Sequence, residues 1–376
     1  PLNIAAQKYL VQTVRGVVVN ADTGAALPYI SVGITDIPEI GAITDSLGNF
    51  ILNNVPIGRH SFKATSIGYH SSVINEILVT SSKEVYLEIL MKENTKELGE
   101  IVVSAYSNDD APLNKMILVG GRMLSVEQAS RYAGGLDDPA RFVTAFAGVA
   151  SAGSGNGISI HGNAPHLLQW RLEGIEIPNP NHFADITTLG GGILSSLSNK
   201  VLGNSDFLIA AFPAEYDNAI SGVFDMKLRN GNNQKHEHTA QIGILGMEFA
   251  SEGPISRENN SSYIASARIS TTSLMSRVMN MDLGGTFDYS DVNFKLNFPV
   301  RNAGTFSVWG TGYFDNYKTK LEKQDEWEYF YDRSKAKDKQ YMGAGGLTHR
   351  FYFNENTLLK TILASTYSKF SAEQYM

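Results

Sequence analysis

Cysteine is absent from the 376 residues, which excludes a disulfide framework in an oxidising compartment and a thiolate metal site in any compartment. No run reaches the ~18 consecutive apolar residues of a membrane-spanning helix. The nearest approach, Ile186 to Asn199, is broken by Gly190, Gly191 and Gly192 and by Ser195, Ser196 and Ser198. Basic excess is lacking too: 31 Lys and Arg are interspersed with 38 Asp and Glu, for a net charge of −7, the opposite of a nucleic-acid surface. Pro1 to Leu10 has neither a basic head nor a long apolar core, so it does not read as a secretory signal, and the chain reads as a mature or trimmed product. No nucleophile, base and carboxylate fall together in the glycine-rich centre; no enzyme activity, cofactor or resident metal is expected. What remains is 43% apolar residues, enough for packed cores, in a length that suits about two or three domains. A chain without membrane helices can cross a bilayer only as a closed β-barrel, because lipid leaves no backbone polar group unsatisfied.

Strand-like runs recur over residues 13–92: Val14 to Asn20, Tyr29 to Ile34, Ile43 to Thr44, Asn49 to Leu52, His60 to Ala64, Ser72 to Leu78 and Glu84 to Met91. The clusters Asp22-Thr23-Gly24, Asp45-Ser46-Leu47-Gly48-Asn49 and Pro56-Ile57-Gly58 divide them, the pattern of a small all-β sandwich. Gly24 and Gly48 fall where tight turns require left-handed backbone. The segments Gly16-Val17-Val18-Val19, Thr23-Gly24, Leu27-Pro28-Tyr29, Thr44-Asp45-Ser46-Leu47-Gly48-Asn49-Phe50 and Ile67-Gly68-Tyr69 resemble the carboxypeptidase regulatory-like domain. That name carries no catalytic implication. A zinc carboxypeptidase needs a His and a Glu close together plus a distant His, and none of His60, His70, His161, His166, His182 or His236 is followed by Glu three residues on. His236-Glu237-His238 sits in a polar tract and reads as a solvated strand start.

Residues 93–106 form a polar linker that ends in Leu98-Gly99-Glu100-Ile101-Val102-Val103-Ser104-Ala105. Such a β-branched run can add to an exposed sheet edge, or it can simply dock on the next domain. Within 107–232, Ser125-Val126-Glu127-Gln128 has the form of a capping box, with a helix through about Arg131. Asp137-Asp138-Pro139 opens a second helix, on which Phe142, Val143 and Phe146 share a face; the paired acids answer the helix dipole rather than serving acid–base chemistry. Short strands follow at Ile158 to His161, Trp170 to Glu173 and Val223 to Leu228. The order His161-Gly162, Leu172-Glu173-Gly174-Ile175-Glu176-Ile177 and Ala214-Glu215-Tyr216-Asp217 resembles the plug domain of TonB-dependent outer-membrane receptors. His161 stands where that family has Arg and Asp217 where it has Gly, in a segment that there leads towards the first barrel strand. The resemblance implies that Glu100, Ile101, Val102, Val103, Ser104 and Ala105 are a TonB box for the periplasmic C-terminal domain of TonB. It also places His161, Asn163, His166, Asn179, Asn181 and His182 at a ligand-binding plug apex; the same side chains would serve equally to satisfy turns and loop backbones.

From 233 to 376 the period becomes two. Val292, Phe294, Leu296, Phe298 and Val300 alternate with Asp291, Asn293, Lys295 and Asn297, and Tyr263, Ala265, Ala267 and Ile269 alternate with Ser262, Ser266, Arg268 and Ser270. Barrel strands between lipid and water alternate in this way, and so does a soluble sheet with one wet face. Connections are short at Asn297 to Gly304 and Phe353 to Thr357 but long and charged at Asp315 to Gln340, the outer-membrane habit. Tyr313, Phe314, Tyr317, Trp327, Tyr329, Phe330 and Tyr331 crowd one strand end, as an interfacial girdle would. A reversal is expected near Leu245-Gly246-Met247. A Gly-Pro turn within Ser251 to Ser261 then faces the periplasm, with Thr271 to Thr286 and Asp315 to Gln340 outside. There is room for roughly seven strands, where barrels of this resemblance close with about 22; the remainder is expected to lie beyond this sequence.

The reading is a mainly β chain: an N-terminal β-sandwich, an α+β plug, and the first strands of a transmembrane antiparallel β-barrel. It is expected in the outer membrane of a Gram-negative bacterium, with the N-terminal domain periplasmic. Resemblance to receptors of the Bacteroidetes type implies TonB-driven import of a small-molecule or oligomer ligand, such as a metal chelate, glycan or peptide. The partners so implied are TonB, a surface lipoprotein and outer-membrane lipid. The alternative is a non-transporting surface adhesin or matrix protein of β modules, which accounts for the sandwich and the strands but not for the plug wording or the loop asymmetry.

Overall fold

A computed structural model describes residues 10–375 apart from 22–24, 94–111, 115, 133, 136–137, 152–154, 186–188, 244–245, 275–284, 320–334 and 355–356. The chain divides into two compact units, Pro1–Leu113 with Tyr352–Leu358 and Asn114–Phe351 with Leu359–Met376.

The first unit holds β1 (Val11–Asn20), β2 (Ser31–Ile34), β3 (Gly41–Ile43), β4 (Asn49–Pro56), β5 (Gly58–Thr65), β6 (Ser72–Val79) and β7 (Val85–Met91). They make two sheets, β4-β1-β7 and β3-β2-β5-β6, so each of the seven sequence runs becomes a strand. Alternate residues Val14, Val18, Val32, Phe50, Phe62 and Ile89 meet in the core. At Gly16 the parallel pairing with β7 brings the chains so close that a Cβ would stand 1.8 Å from the Leu87 carbonyl oxygen. The Asp45 carboxylate accepts the backbone N–H groups of Leu47 and Asn49, and Gly48 takes φ 75°, the left-handed turn position its sequence announced. Gly24 lies outside the described residues. A buried ion pair joins Arg15 Nε to Glu84 at 3.0 Å.

The second unit begins as an α+β domain containing β8 (Gly121–Leu124), α1 (Val126–Arg131), α2 (Pro139–Phe142), β9 (Val149–Ser151), β10 (Ile158–Ile160), β11 (Leu168–Leu172), β12 (Ile175–Ile177), β13 (Asn181–His182), β14 (Leu194–Ser195), β15 (Ser205–Leu208) and β16 (Gly222–Met226). Five of these form a sheet in the order β12-β11-β16-β15-β8. Trp170 stacks on Phe224 at 5.3 Å, and Phe207 packs against the same ring. Helix α1 forms where expected, but the capping box does not: Ser125 makes no side-chain cap bond, and the first helical N–H, that of Val126, donates to Asn204 Oδ1 at 3.4 Å. Asp138 does cap α2, accepting from the Ala140 N–H at 2.9 Å, with Pro139 at the first helical position; Asp137 lies outside the described residues. Between β11 and β12 the turn is Glu173 (φ 54°) and Gly174 (φ 95°), a two-residue hairpin of the type that needs two left-handed residues. The Ala214-Glu215-Tyr216-Asp217 segment leads not to the meander but into β16 at the middle of the sheet.

The chain then enters an antiparallel meander: β17 (Glu237–Ile242), β18 (Gly246–Ser256), β19 (Ser261–Ser270), β20 (Gly285–Val300), β21 (Gly304–Thr319), β22 (Lys335–Asn354) and β23 (Thr357–Tyr375). The expected reversal is present: Ile242 pairs with Met247, and the Gly243 N–H donates to the Gly246 carbonyl at 2.9 Å. Gly253 and Pro254 are not a turn but lie in β18, and the chain reverses at 257–260. Pro254 pairs only with β19, beyond the end of β17, where its missing N–H costs no ladder bond. The long loop read as Asp315 to Gln340 is strand at both ends, because pairing continues from Asp315↔Gln340 to Lys318↔Lys337. Only 320–334, with Trp327, Tyr329, Phe330 and Tyr331, lie outside the described residues. The expected girdle splits: Phe314 packs on Tyr341, whereas Tyr313 and Tyr317 lie on the opposite phase of β21 and meet the α+β domain.

Candidate functional site

Strand β20 sets out the seam between the α+β domain and the meander. Its polar phase points at the α+β domain, and partners follow residue by residue. Asp291 accepts from His182; Asn293 Nδ2 donates to the Ser196 carbonyl at 2.8 Å; Lys295 Nζ donates to Glu173 at 3.0 Å and to the Leu228 carbonyl at 2.7 Å. Its apolar phase faces away, with Val292 49% exposed; Ile269 on β19 is 52% exposed and Phe249 on β18 53%. On β21 the inward phase carries Trp309, Thr311, Tyr313 and Asp315, all buried. Trp309 and Ile264 of β19 join the apolar core of the α+β domain.

His182 is among the fully enclosed polar groups of the seam. Its ring is 0% exposed, with Nδ1 2.6 Å from Asp315 Oδ1 and Nε2 3.0 Å from Asp291 Oδ2. The other Asp315 oxygen accepts the Phe183 N–H at 2.7 Å. Arg268 Nε reaches the same Asp291 oxygen at 2.8 Å, and its Nη2 donates to the Ser195 carbonyl. The rings of Tyr289 and Tyr313 lie 4.4 and 4.9 Å from the imidazole. Burial alone would lower the basicity of the imidazole; hydrogen bonds and charge from the two carboxylates prevail and raise its pKa above the ordinary histidine value.

Two more charged contacts complete the seam. Burial would raise the Glu173 carboxyl, but Lys295, with Arg350 beyond it and the Leu228 N–H at 2.8 Å, holds it below the usual carboxylate range. Glu252 of β18 grips the Arg229 guanidinium through two bonds of 2.7 Å and also accepts the Asn232 N–H at 3.0 Å. A cavity of about 310 Å³ opens between the Leu194–Lys200 stretch and strands β17–β20, lined among others by Lys200, Glu248, Arg268 and Tyr289.

The six residues expected at one apex fall into two groups. His161 and His166 are exposed and Asn163 is half-buried. His161 holds φ 51°, its N–H donating to the Gly148 carbonyl at 2.9 Å. Asn179 is half-buried, and its Nδ2 donates to the carbonyl of Gly190, which packs directly against His166. Asn181 and His182 are fully buried. The Asn181 amide engages Asn179 and Asn156, and Asn156 in turn donates to Asp138. Glu100 to Ala105 lie outside the described residues. Sequence reasoning did not anticipate Asp291, Asp315, Arg268 and Lys295 as partners of the α+β domain. The available signal was that each charge falls on the polar phase of its strand.

Residues 14–103 match the CarboxypepD_reg-like domain family. No curated protein matches the chain. Among solved structures, a mutant of the ferric enterobactin receptor PfeA from Pseudomonas aeruginosa is similar at 14% identity over 67% of this chain and 40% of that chain, with a TM-score of 0.46. The siderophore receptor PirA from Acinetobacter baumannii is similar at 13% identity over 67% and 40%, with a TM-score of 0.43. A cohesin–X-dockerin complex from Acetivibrio cellulolyticus is 27% identical over 21% of this chain and 56% of that chain, with a TM-score of 0.18. The chain thus spans 40% of the length of each of these two receptors. It carries an N-terminal CarboxypepD_reg-like domain and is similar in structure to siderophore receptors at low identity.

Proposed function

We propose that the chain serves as a TonB-dependent outer-membrane receptor: the sandwich stands in the periplasm, the α+β domain is the plug, and the meander is barrel wall. One observation carries the reading. A soluble antiparallel sheet packs its apolar face on a core and wets the polar one; here polar Asp291, Asn293 and Lys295 grip a folded domain while Val292, Phe249 and Ile269 are open. That inversion suits a wall whose outer solvent is lipid. Glu100 to Ala105 act as the TonB box, pairing by strand addition with the periplasmic domain of TonB. His161, Asn163, His166 and Asn179 contact the ligand, a metal chelate, glycan or peptide, whereas Asn181 and His182 hold the plug. A surface lipoprotein and outer-membrane lipid complete the partners. The chain makes and breaks no covalent bond.

The test is energised uptake in cells carrying the receptor, with wild type compared against a deletion of Glu100 to Ala105. Accumulation that requires both the box and TonB supports the reading. Retention at the cell surface without TonB-dependent accumulation of any of the three ligand classes would favour the adhesin.

A further inference from the structure

We propose that His182 is a proton-controlled fastening of the plug: as an imidazolium it ties the 179–183 segment to β20 and β21, and on losing its proton it lets that segment go. Both ring nitrogens face carboxylate oxygens, at 2.6 and 3.0 Å. An ionised carboxylate only accepts, so both contacts are bonds only if both nitrogens carry hydrogen. The carboxylates are committed as acceptors by their other partners, the Phe183 N–H on Asp315 and the Arg268 guanidinium on Asp291. Charge count agrees: Asp291 and Asp315 balance Arg268 and His182 only while His182 is charged. A neutral ring would turn one lone pair toward a carboxylate in a dry site and leave an uncompensated buried anion.

Among the described residues, only His182 and Arg268 bring a cation to these two carboxylates; Lys200 lines the neighbouring cavity. Besides Asp291 and Tyr289 on β20 and Asp315 and Tyr313 on β21, the charged groups nearby are Arg268 on β19, already bound to Asp291, Glu248 on β18, which accepts the Ser198 hydroxyl, and Asp185, which accepts the Gly190 N–H. Asp138, reached through Asn156 and Asn181, adds a further anion on the plug side. His182 is fully buried beside the Tyr289 and Tyr313 rings, so solvent does not reach it to replace a lost proton's bond.

The direction follows from the raised basicity of the buried ring. The fastening is at full strength below the released histidine's value and weakens as pH rises towards the buried ring's own value. Between the two, the ratio of fastened to released plug falls about tenfold per pH unit. This inference rests on the plug reading, but its test is independent of transport. Full-length receptor labelled with ¹⁵N-histidine is followed in micelles by NMR, with His182→Gln assigning the signal, and Phe183 amide exchange is measured on the same samples. The expected result is a doubly protonated His182 ring at pH 7.5, whose later deprotonation coincides with loss of Phe183 protection beyond the intrinsic rate change. His182→Gln should abolish the pH-dependent step. Asp315→Asn should move it to lower pH, which keeps the test open should His182→Gln not fold. A neutral ring at pH 7.5, or Phe183 protection that ignores the ring's titration, would overturn the fastening while leaving uptake as the separate judge of the plug.

Discussion

Removing the ammonium of Lys295 should unseat the β11–β12 hairpin far more than its single ion pair suggests. Lys295 and Glu173 side chains are 8% and 2% exposed, and the Lys295 Nζ bridges the Glu173 carboxylate at 3.0 Å and the Leu228 carbonyl at 2.7 Å. Lys295→Met keeps the aliphatic stem and strips the charge, so Glu173 retains only the Leu228 N–H as a direct partner. An uncompensated buried charge costs about 3–5 kcal/mol, which speeds amide exchange in the hairpin by roughly two to three and a half orders of magnitude at about 1.4 kcal/mol per decade. Pairing Lys295→Met with Glu173→Gln should recover much of the loss, with a coupling on the order of 0.5–3 kcal/mol. The pH dependence has a definite sign. The Glu173 pKa is depressed in the folded state, so its contribution is present above the ordinary glutamate value and lost as pH falls through the depressed one. Without Lys295, burial disfavours the charged carboxylate, so Lys295→Met should abolish or reverse this acid-loosening, protonation of Glu173 then relieving the hairpin. Hydrogen exchange read by mass spectrometry on 168–177 decides the matter: acceleration of less than tenfold, or a double variant as loose as Lys295→Met alone, refutes the reasoning.

Deleting Glu100 to Ala105 should abolish uptake with folding, insertion and ligand binding intact, and Val102→Pro should mimic it by removing one ladder donor; normal transport by the proline variant counts against the box. A fragment spanning 1–96 should melt cooperatively, as a small core allows. In the same fragment Gly16→Ala should erase that transition, because its Cβ falls 1.8 Å from the Leu87 oxygen; an unchanged melt would show that β1 and β7 part more easily than their pairing implies. Cysteine at Lys323 should be labelled by an impermeant reagent on intact cells and cysteine at Asn302 should not, the reverse pattern inverting the proposed orientation.

The strands were legible in the sequence because period-two alternation is a local signal. Asp291, Asn293 and Lys295 declared a polar face, and the structure keeps it. What that face meets was not legible, since His182 reaches partners 109 and 133 residues away and no window spans such distances. Asp315 was read as the start of a loop because charges and aromatics gather after it. The in-phase sequence Ser307, Trp309, Thr311, Tyr313 would have extended the strand through it. The capping box did not form although its helix did: Ser125 makes no side-chain cap bond, and the first helical N–H, that of Val126, is met by Asn204, remote in sequence. Likewise the apex group looked uniform because its residues are all polar, while burial, which separates His182 from His161 and His166, is set by the meander packed over one of them and not the others.

The opposite titrations along β20 bear on why this seam is polar at all. The fastening at Asp291 weakens with rising pH and the one at Lys295 with falling pH, and the two stations are four residues apart, about 13 Å along a strand. Replacing a buried ion pair by well-packed apolar residues is often neutral or stabilising, so affinity alone does not explain charged pairs here. An apolar seam would hold in proportion to the area still covered and would expose that area to water on release. Charged hydrogen bonds depend steeply on distance and angle, and once parted each group can be hydrated. On the proposed function, a plug that remains seated at rest and leaves under a pull from its N-terminal side would be served by the second kind of contact. The few apolar side chains that the meander lends to the core of the α+β domain, Trp309 and Ile264 among them, then mark where release would be hardest. On this argument Trp309→Ala should ease displacement of the α+β domain at every pH, whereas His182 and Glu173 variants should ease it only within the pH windows where the removed group is charged in the wild type.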